Sequence, residues 1–312
     1  MLFPKPIAGA GTRMKIFYSD RFELPLPPGH RFPRRKYPLL RASLLAEEVI
    51  DEAWLHESPL APPEHVLRAH AAPYVEAFEA GALDRRAMRR IGFPWSEALV
   101  QRTRATVGGA VAAADSALET GISGQLAGGT HHAHRNFGAG FCVYNDLAAA
   151  ALWAVRSGRA GRVAIIDLDV HQGDGNAAIL KDAEDIFVFS MHGEKNFPFA
   201  KQESDLDVAL PDGTEDGAYL RALAEHLPAV FAFRPDLVLY QAGVDPLAED
   251  RLGRLALTHA GLMERDEMVL SACARAGIPV SMAIGGGYAE PIEASVAAYV
   301  NTYRVAKRVH GF

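Results

Sequence analysis

Two patterns alternate along the chain. Short runs that are apolar almost without a break, and rich in β-branched and aromatic residues, occur at 15–19 (KIFYS), 162–167 (RVAIID), 186–190 (IFVFS), 236–241 (DLVLYQ) and 279–284 (PVSMAI). They lack the in-out alternation of a half-exposed strand, so each is predicted to be a strand of a parallel sheet covered on both faces. Long segments with helical spacing lie between them, at 97–120, 146–157, 216–230, 257–276 and 290–309. This alternation predicts a single-domain, three-layer αβα fold of the α/β class with a central, mostly parallel sheet. No repeat, low-complexity run or Gly/Ser linker divides the chain, and LPLPPGHRFP at 24–33 reads as a surface loop rather than a domain boundary. Residues 1–13, MLFPKPIAGAGTR, read as an unstructured leader, with Met14 as a candidate start and 14–312 as the folded domain.

Composition narrows the function classes. With 312 residues, 49% hydrophobic and 22% charged, the chain has the make-up of an ordinary globule. A formal net charge of −6 supplies no broad field to attract nucleic acid, and no direct nucleic-acid partner is expected. Cys142 and Cys273 are far apart with no CxxC spacing, which excludes a disulfide framework or zinc knuckle and fits a reducing cytoplasm. Apolar stretches such as ALWAV and VLYQAGV are too short to cross a bilayer, and the N-terminus lacks the order of a signal peptide.

In parallel α/β sheets ligands bind beyond the carboxyl ends of the strands, so polar residues directly after strand runs are where chemistry is expected. Four stretches qualify. In DLDVHQGDG (167–175), Asp167, Asp169 and His171 stand at i, i+2 and i+4, and an extended backbone would project them to one side, ahead of a turn into a helix NAAILKD. Such an O/N set suits zinc, with iron or cobalt as harder alternatives; equally, aspartates at such a turn can simply cap a helix. Asp245, in YQAGVDPLAEDRLG (240–253), is either a third ligand or the start of an Asp-Pro turn. GGTHHAHRNFGAGFCVYND (128–146) carries His131 and His132 in a Gly-rich loop, suited to acid-base work or merely incidental. His134 in the same loop shows no comparable pattern and is expected to be exposed. IGGGY (284–288) ends in Tyr288, either a donor to a site or a packed aromatic.

Taken together, in this order and at these spacings, the four stretches resemble the active-site segments of the zinc-dependent histone deacetylase family, which has the arginase-deacetylase fold, over nearly the whole chain from about Lys15. GHRFPRRKYPLLRASL, SMHGEKNFPF and SDLDVALPDGT are most similar to a class IV-like bacterial branch. The resemblance implies that Asp169, His171 and Asp245 hold zinc, that Asp167 pairs with His131 and Asp174 with His132, and that Asp167, Asp169, His171, Ser190 and Met191 surround a potassium ion. It further implies His132 as proton carrier, His131 as electrostatic stabiliser, Tyr288 as oxyanion donor, and Gly140, Phe141 and Phe197 as the walls of an acyl-lysine tunnel. The implied substrate is an acylated amine, peptide acyl-lysine foremost, with acetylpolyamines or other small amides as the alternative and a non-catalytic acyl-lysine binding module as the reading from another class. Oligomeric state is not implied. This chain departs from the pattern in having Lys36 where relatives carry an arginine at the tunnel base and Gln172 where a second histidine is common. ALDRRAMRRIGFPWSEA also lacks the acidic loop that grips peptide substrates.

Overall fold

Each of the five apolar runs folds as a strand and each of the five long amphipathic segments as a helix. The computed structural model describes residues 14–312, so the leader expected at 1–13 lies outside the described residues. In chain order the elements are β1 (Lys15–Tyr18), α1 (Lys36–Ala46), β2 (Leu55–Glu57), α2 (Pro63–Ala69), α3 (Ala72–Glu79), α4 (Arg85–Ile91), α5 (Glu97–Thr120), β3 (Ile122–Gln125), α6 (Asp146–Arg156) and β4 (Val163–Asp167). They continue with α7 (Asp174–Leu180), β5 (Ile186–Gly193), β6 (Leu206–Leu210), α8 (Asp216–Ala232), β7 (Leu237–Gln241), α9 (His259–Ala276), β8 (Val280–Ala283) and α10 (Ile292–His310). A short 3-10 turn at Glu52–Trp54 precedes β2.

The strands form one eight-stranded sheet in the order β2-β1-β3-β8-β7-β4-β5-β6, and every pairing is parallel. Helices α2, α5 and α6 pack together, and α1, α10, α9 and α8 form a second group, giving the three layers. The inner strands β3, β8, β7 and β4 are buried at every residue, which is why three of them read as continuous apolar runs. Fully buried side chains such as Val163, Ile165, Leu237 and Val280 each contribute roughly 1.5–3 kcal/mol of transfer free energy.

The elements that the pattern did not announce have local reasons. β3 is ISGQ, fully buried yet carrying a glycine and a glutamine, and the Gln125 side-chain nitrogen donates to Asp146. β6 is an edge strand with alternating exposure, and β2 has only three residues. The helices α1 to α4 are short, three of them opening on a first-turn proline (Pro38, Pro63 and Pro73) and the fourth crowded with arginines, so their period is hard to see. For the site, one point of topology matters. The four neighbouring strands β3, β8, β7 and β4 end side by side, and directly after their carboxyl ends come the GGTHH loop, IGGGY, AGVDP and DLDVH.

Candidate active site

The chain bends straight after Asp167 instead of continuing as a strand, so the expected single-sided display of three side chains does not form. Asp167 turns to His131, while Asp169 and His171 turn to Asp245. None of these acids caps α7: its N-cap is Gly173, with no side-chain cap bond. Nor is Asp245 a plain turn starter, since it is fully buried and its Oδ1 accepts from the Val170 amide at 2.8 Å.

The resulting cluster has a simple logic. Asp169 Oδ2 accepts from the Gly286 amide at 2.7 Å, which leaves Oδ1 facing His171 Nδ1 at 3.0 Å. Asp245 Oδ2 lies 3.1 Å from the same nitrogen. Backbone amides hold both carboxylates, Asp169 Oδ1 also accepting from the His171 amide at 3.0 Å, and one oxygen of each converges with the imidazole; ligand atoms of the three residues lie within 4.8 Å of one another. Burial, and next the charge of Asp169, push the Asp245 carboxyl above its ordinary range. Two carboxylates this close and this deep favour a cation between them, and the O/O/N set fits a divalent metal. Gly286 makes the approach possible, because a Cβ there would stand 2.0 Å from Asp245 Oδ2.

Both adjacent histidines of the GGTHH loop are buried and paired. His131 Nδ1 donates to Asp167 Oδ2 at 2.8 Å, and His132 Nδ1 to Asp174 Oδ1 at 2.6 Å. Burial opposes protonation of His131, but the charges of Asp167 and Asp169 outweigh it and raise the imidazole to about 9. Burial and the neighbouring His131 charge lower His132 to about 4. The loop itself hangs on Asp146, which accepts from the amides of Gly129 and Thr130 and from Gln125.

Above the cluster opens a cavity of about 600 Å³, lined by His131, His132, Asp169, His171, Gly140, Phe141, Phe197 and Tyr288 among others. Phe197 meets His132 edge-on at 4.8 Å between ring centroids. Gly140 is obligatory: φ is +55°, and a Cβ would sit 2.8 Å from the His132 ring and 3.1 Å from Phe197. Tyr288 is half-buried, its ring 6.1 Å from Phe141 and its amide fixed by Asp250, while its hydroxyl has no hydrogen-bond partner among the described residues. Lys36 is buried below, donating to the Gly285 carbonyl at 3.0 Å beside the rings of Tyr37, Tyr288 and Tyr299. Ser190 lies opposite Asp167 in the sheet register, and its hydroxyl bonds His192. Met191 follows it, fully buried.

With this geometry in place, comparison with known proteins is decisive. Residues 30–303 match the histone deacetylase domain family. The chain belongs to that family. Among histone deacetylase family relatives, Histone deacetylase 2 of Arabidopsis thaliana is 31% identical over 291 residues, covering 89% of this chain and 75% of the relative. An uncharacterized protein of a Picosynechococcus strain is 46% identical over 296 residues, covering 95% and 99%. A crystal structure of an HDAC homolog complexed with SAHA superposes with a TM-score of 0.84 at 28% identity, covering 96% of this chain and 84% of that one. This is therefore a hydrolytic enzyme of the deacetylase and amidohydrolase kind. The family uses a divalent metal, and Asp169, His171 and Asp245 form a possible site for one.

Several residues of this histone deacetylase domain escaped the sequence reading. His134, expected to be exposed, is only 14% accessible, and its Nε2 bonds Asp174 Oδ2 at 2.9 Å; its HxH spacing from His132 was the available signal. Burial would raise the Asp174 carboxyl, but hydrogen bonds from His132 and His134 outweigh it and hold it well below the usual range. His70, at the end of α2, bonds the His134 carbonyl and receives the Asn145 amide, tying both ends of the loop together. Arg265 in α9 is fully buried against Asp266 and donates to the carbonyls of Leu168, Ala242 and Gly243, bracing the backbone just before two of the cluster residues. Gln172 ties down the segment after Phe197 through Gln202 and Asp207.

Proposed function

We propose that the protein removes an acetyl or other acyl group from an acylated amine, acyl-lysine foremost, with zinc held by Asp169, His171 and Asp245. The observation that carries this reading is the convergence of those three side chains beneath a cavity that Asp169 and His171 line and whose wall holds His131, His132 and Tyr288. When bound, a divalent ion polarises the amide carbonyl and makes water a nucleophile at neutral pH.

The residues of the chain then have distinct tasks. The side-chain methylenes of the substrate lie between Phe141 and Phe197, where Gly140 keeps the passage clear. His132, held at Nδ1 by Asp174, takes the proton of the attacking water at Nε2 and returns one to the nitrogen as the C–N bond breaks. Tyr288 donates to the carbonyl oxygen as it gains charge, an interaction stronger in the transition state than in the planar amide. His131, clamped by Asp167, adds positive charge at the same place. Potassium near Asp167, Asp169, His171, Ser190 and Met191 would brace the floor from beneath. The enzyme works in the cytoplasm, a reading supported by two unpaired, buried cysteines, which suit a reducing compartment.

Elemental analysis of protein purified without chelator tests the metal, with about one zinc per chain expected and most of it lost in Asp245→Ala. Hydrolysis of an acetyl-lysine peptide and of an acetylated polyamine by the same preparation tests the substrate. Undiminished zinc in the variant, or a faster reaction with the polyamine, would overturn the respective half of the reading.

A further inference from the structure

The mouth of the cavity is basic, although the chain as a whole is acidic. The lining includes Arg31, Arg89, Arg90, Lys195 and Arg254, and its only carboxylate among the described residues is Asp169, buried on the floor and committed to Gly286 and His171. All five cations are exposed. Arg254 pairs with Asp212 at 3.1 Å and Arg90 lies over the Phe137 ring at 4.0 Å, but Arg31, Arg89 and Lys195 have no ion-pair partner among the described residues. With 38 acidic against 32 basic residues in the chain, a sampling of the average surface would have placed carboxylates among them. Cations in the last turn of α4 suit the carbonyl end of a helix, and that accounts for Arg89 and Arg90 alone. Arg31 comes from the loop after β1, Lys195 from the segment after β5, and Arg254 from the turn beyond Asp250; only the cavity brings them together.

We propose that this rim selects acylated amines whose remainder is anionic where it leaves the cavity, foremost an acyl-lysine flanked by aspartate or glutamate. The proposal rests on the hydrolase reading for the part of the substrate inside the cavity. Outside it, the argument is one of charge. Unpartnered guanidinium and ammonium groups around an opening raise the local concentration of anions and repel cations, and guanidinium groups bind carboxylates through two parallel hydrogen bonds. Acetylated polyamines, which keep ammonium groups beyond the acylated nitrogen, meet repulsion at the same place.

The test uses metal-loaded enzyme and three acetyl-lysine peptides identical except for Glu, Gln or Lys on both sides of the acyl-lysine, with an acetylated polyamine as a fourth substrate. The order Glu, Gln, Lys is expected in kcat/KM, with steps of about tenfold carried mainly by KM, and it should flatten at about 1 M salt, where charges are screened within about 3 Å. Anisotropy of the labelled peptides on metal-free protein should give the same order in affinity. The triple variant Arg31→Glu, Arg89→Glu, Lys195→Glu should reverse it, with the melting temperature reporting the fold; should it not fold, Arg31→Gln with Lys195→Gln should compress the order instead. Equal values for the three peptides, or preference for the Lys-flanked peptide or the polyamine, overturns the proposal. Failure to hydrolyse any of them while the binding order holds would count against the deacetylase reading and leave the rim's selectivity standing.

Discussion

Around the floor of the cavity every imidazole is answered by a carboxylate: His131 by Asp167, His132 and His134 by Asp174, His171 by Asp169 and Asp245. At the rim, some of the same chemistry stands alone, with Arg31, Arg89 and Lys195 facing solvent and no carboxylate. The difference follows from dielectric environment. A charge removed from water costs several kcal/mol unless it is paired and hydrogen-bonded, whereas an exposed cation is solvated and needs no partner. The floor is therefore committed in its identities, and the rim is free to be set by whatever approaches it.

Four outcomes would sharpen or break that contrast, beginning with the floor. His132→Ala should lower turnover on an acetyl-lysine peptide by roughly a hundred- to ten-thousand-fold with metal content kept, as expected for loss of a general acid-base group; a loss below about tenfold would mean that the Asp174 pairing serves packing alone. Tyr288→Phe removes one oxygen and should cost roughly a hundred- to a thousand-fold in kcat with little change in KM. Full activity in that variant would return Tyr288 to the status of a packed aromatic.

The third outcome concerns stability. Burial lowers His70 to about 4 from an ordinary 6.5, so between those values the unfolded chain binds the proton and the folded one does not. Stability from this group is complete above about pH 6.5 and is lost as pH falls towards 4, by about 3 kcal/mol in all. His192 and His310 are lowered by burial in the same window, so the share of His70 is read as the difference from His70→Leu. Urea midpoints across pH 4–7 should show a shallower slope in the variant, and an unchanged slope would mean that His70 is solvated in the folded state. The smallest effect belongs to the rim, where Arg31→Gln with Lys195→Gln should move the unfolding free energy by less than about 0.5 kcal/mol. A larger loss would reveal ion pairs at the mouth.

The same contrast explains what could be read from residues alone. Asp167, Asp169, His171 and Asp245 stood out as candidates because they follow buried strands, each with a capping or turn reading beside the chemical one, and Asp174 entered only through the family resemblance. His134 was not, since its partner Asp174 lies 40 residues on and already serves His132. Arg265 sits within an ordinary amphipathic helix, and nothing in MERDEM marks it as the buried brace of the floor. The mouth was least legible. LPLPPGHRFP reads as a surface loop, yet it sets Phe32 against Phe93 at 4.8 Å and Phe141 at 5.6 Å and puts Arg31 at the opening, a consequence of tertiary packing with no local signature. β3 and β6 escaped for opposite reasons, one being polar though wholly buried and the other alternating at the sheet edge.

The place of β8 in the sheet has a consequence for how the chain is made. β8 joins two part-sheets, β2-β1-β3 on one side and β7-β4-β5-β6 on the other, and it is the last strand to be synthesised. Until residue 283 has left the ribosome, β3 and β7 each present an open row of amides and carbonyls, and IGGGY has not yet joined the motifs it faces. Long-range parallel pairings of this kind form slowly, and open edges invite intermolecular pairing. Nascent chains stalled before β8 are therefore expected to be the species that chaperones hold, and completion of that one short strand the event that turns two open half-sheets into a single cooperative unit.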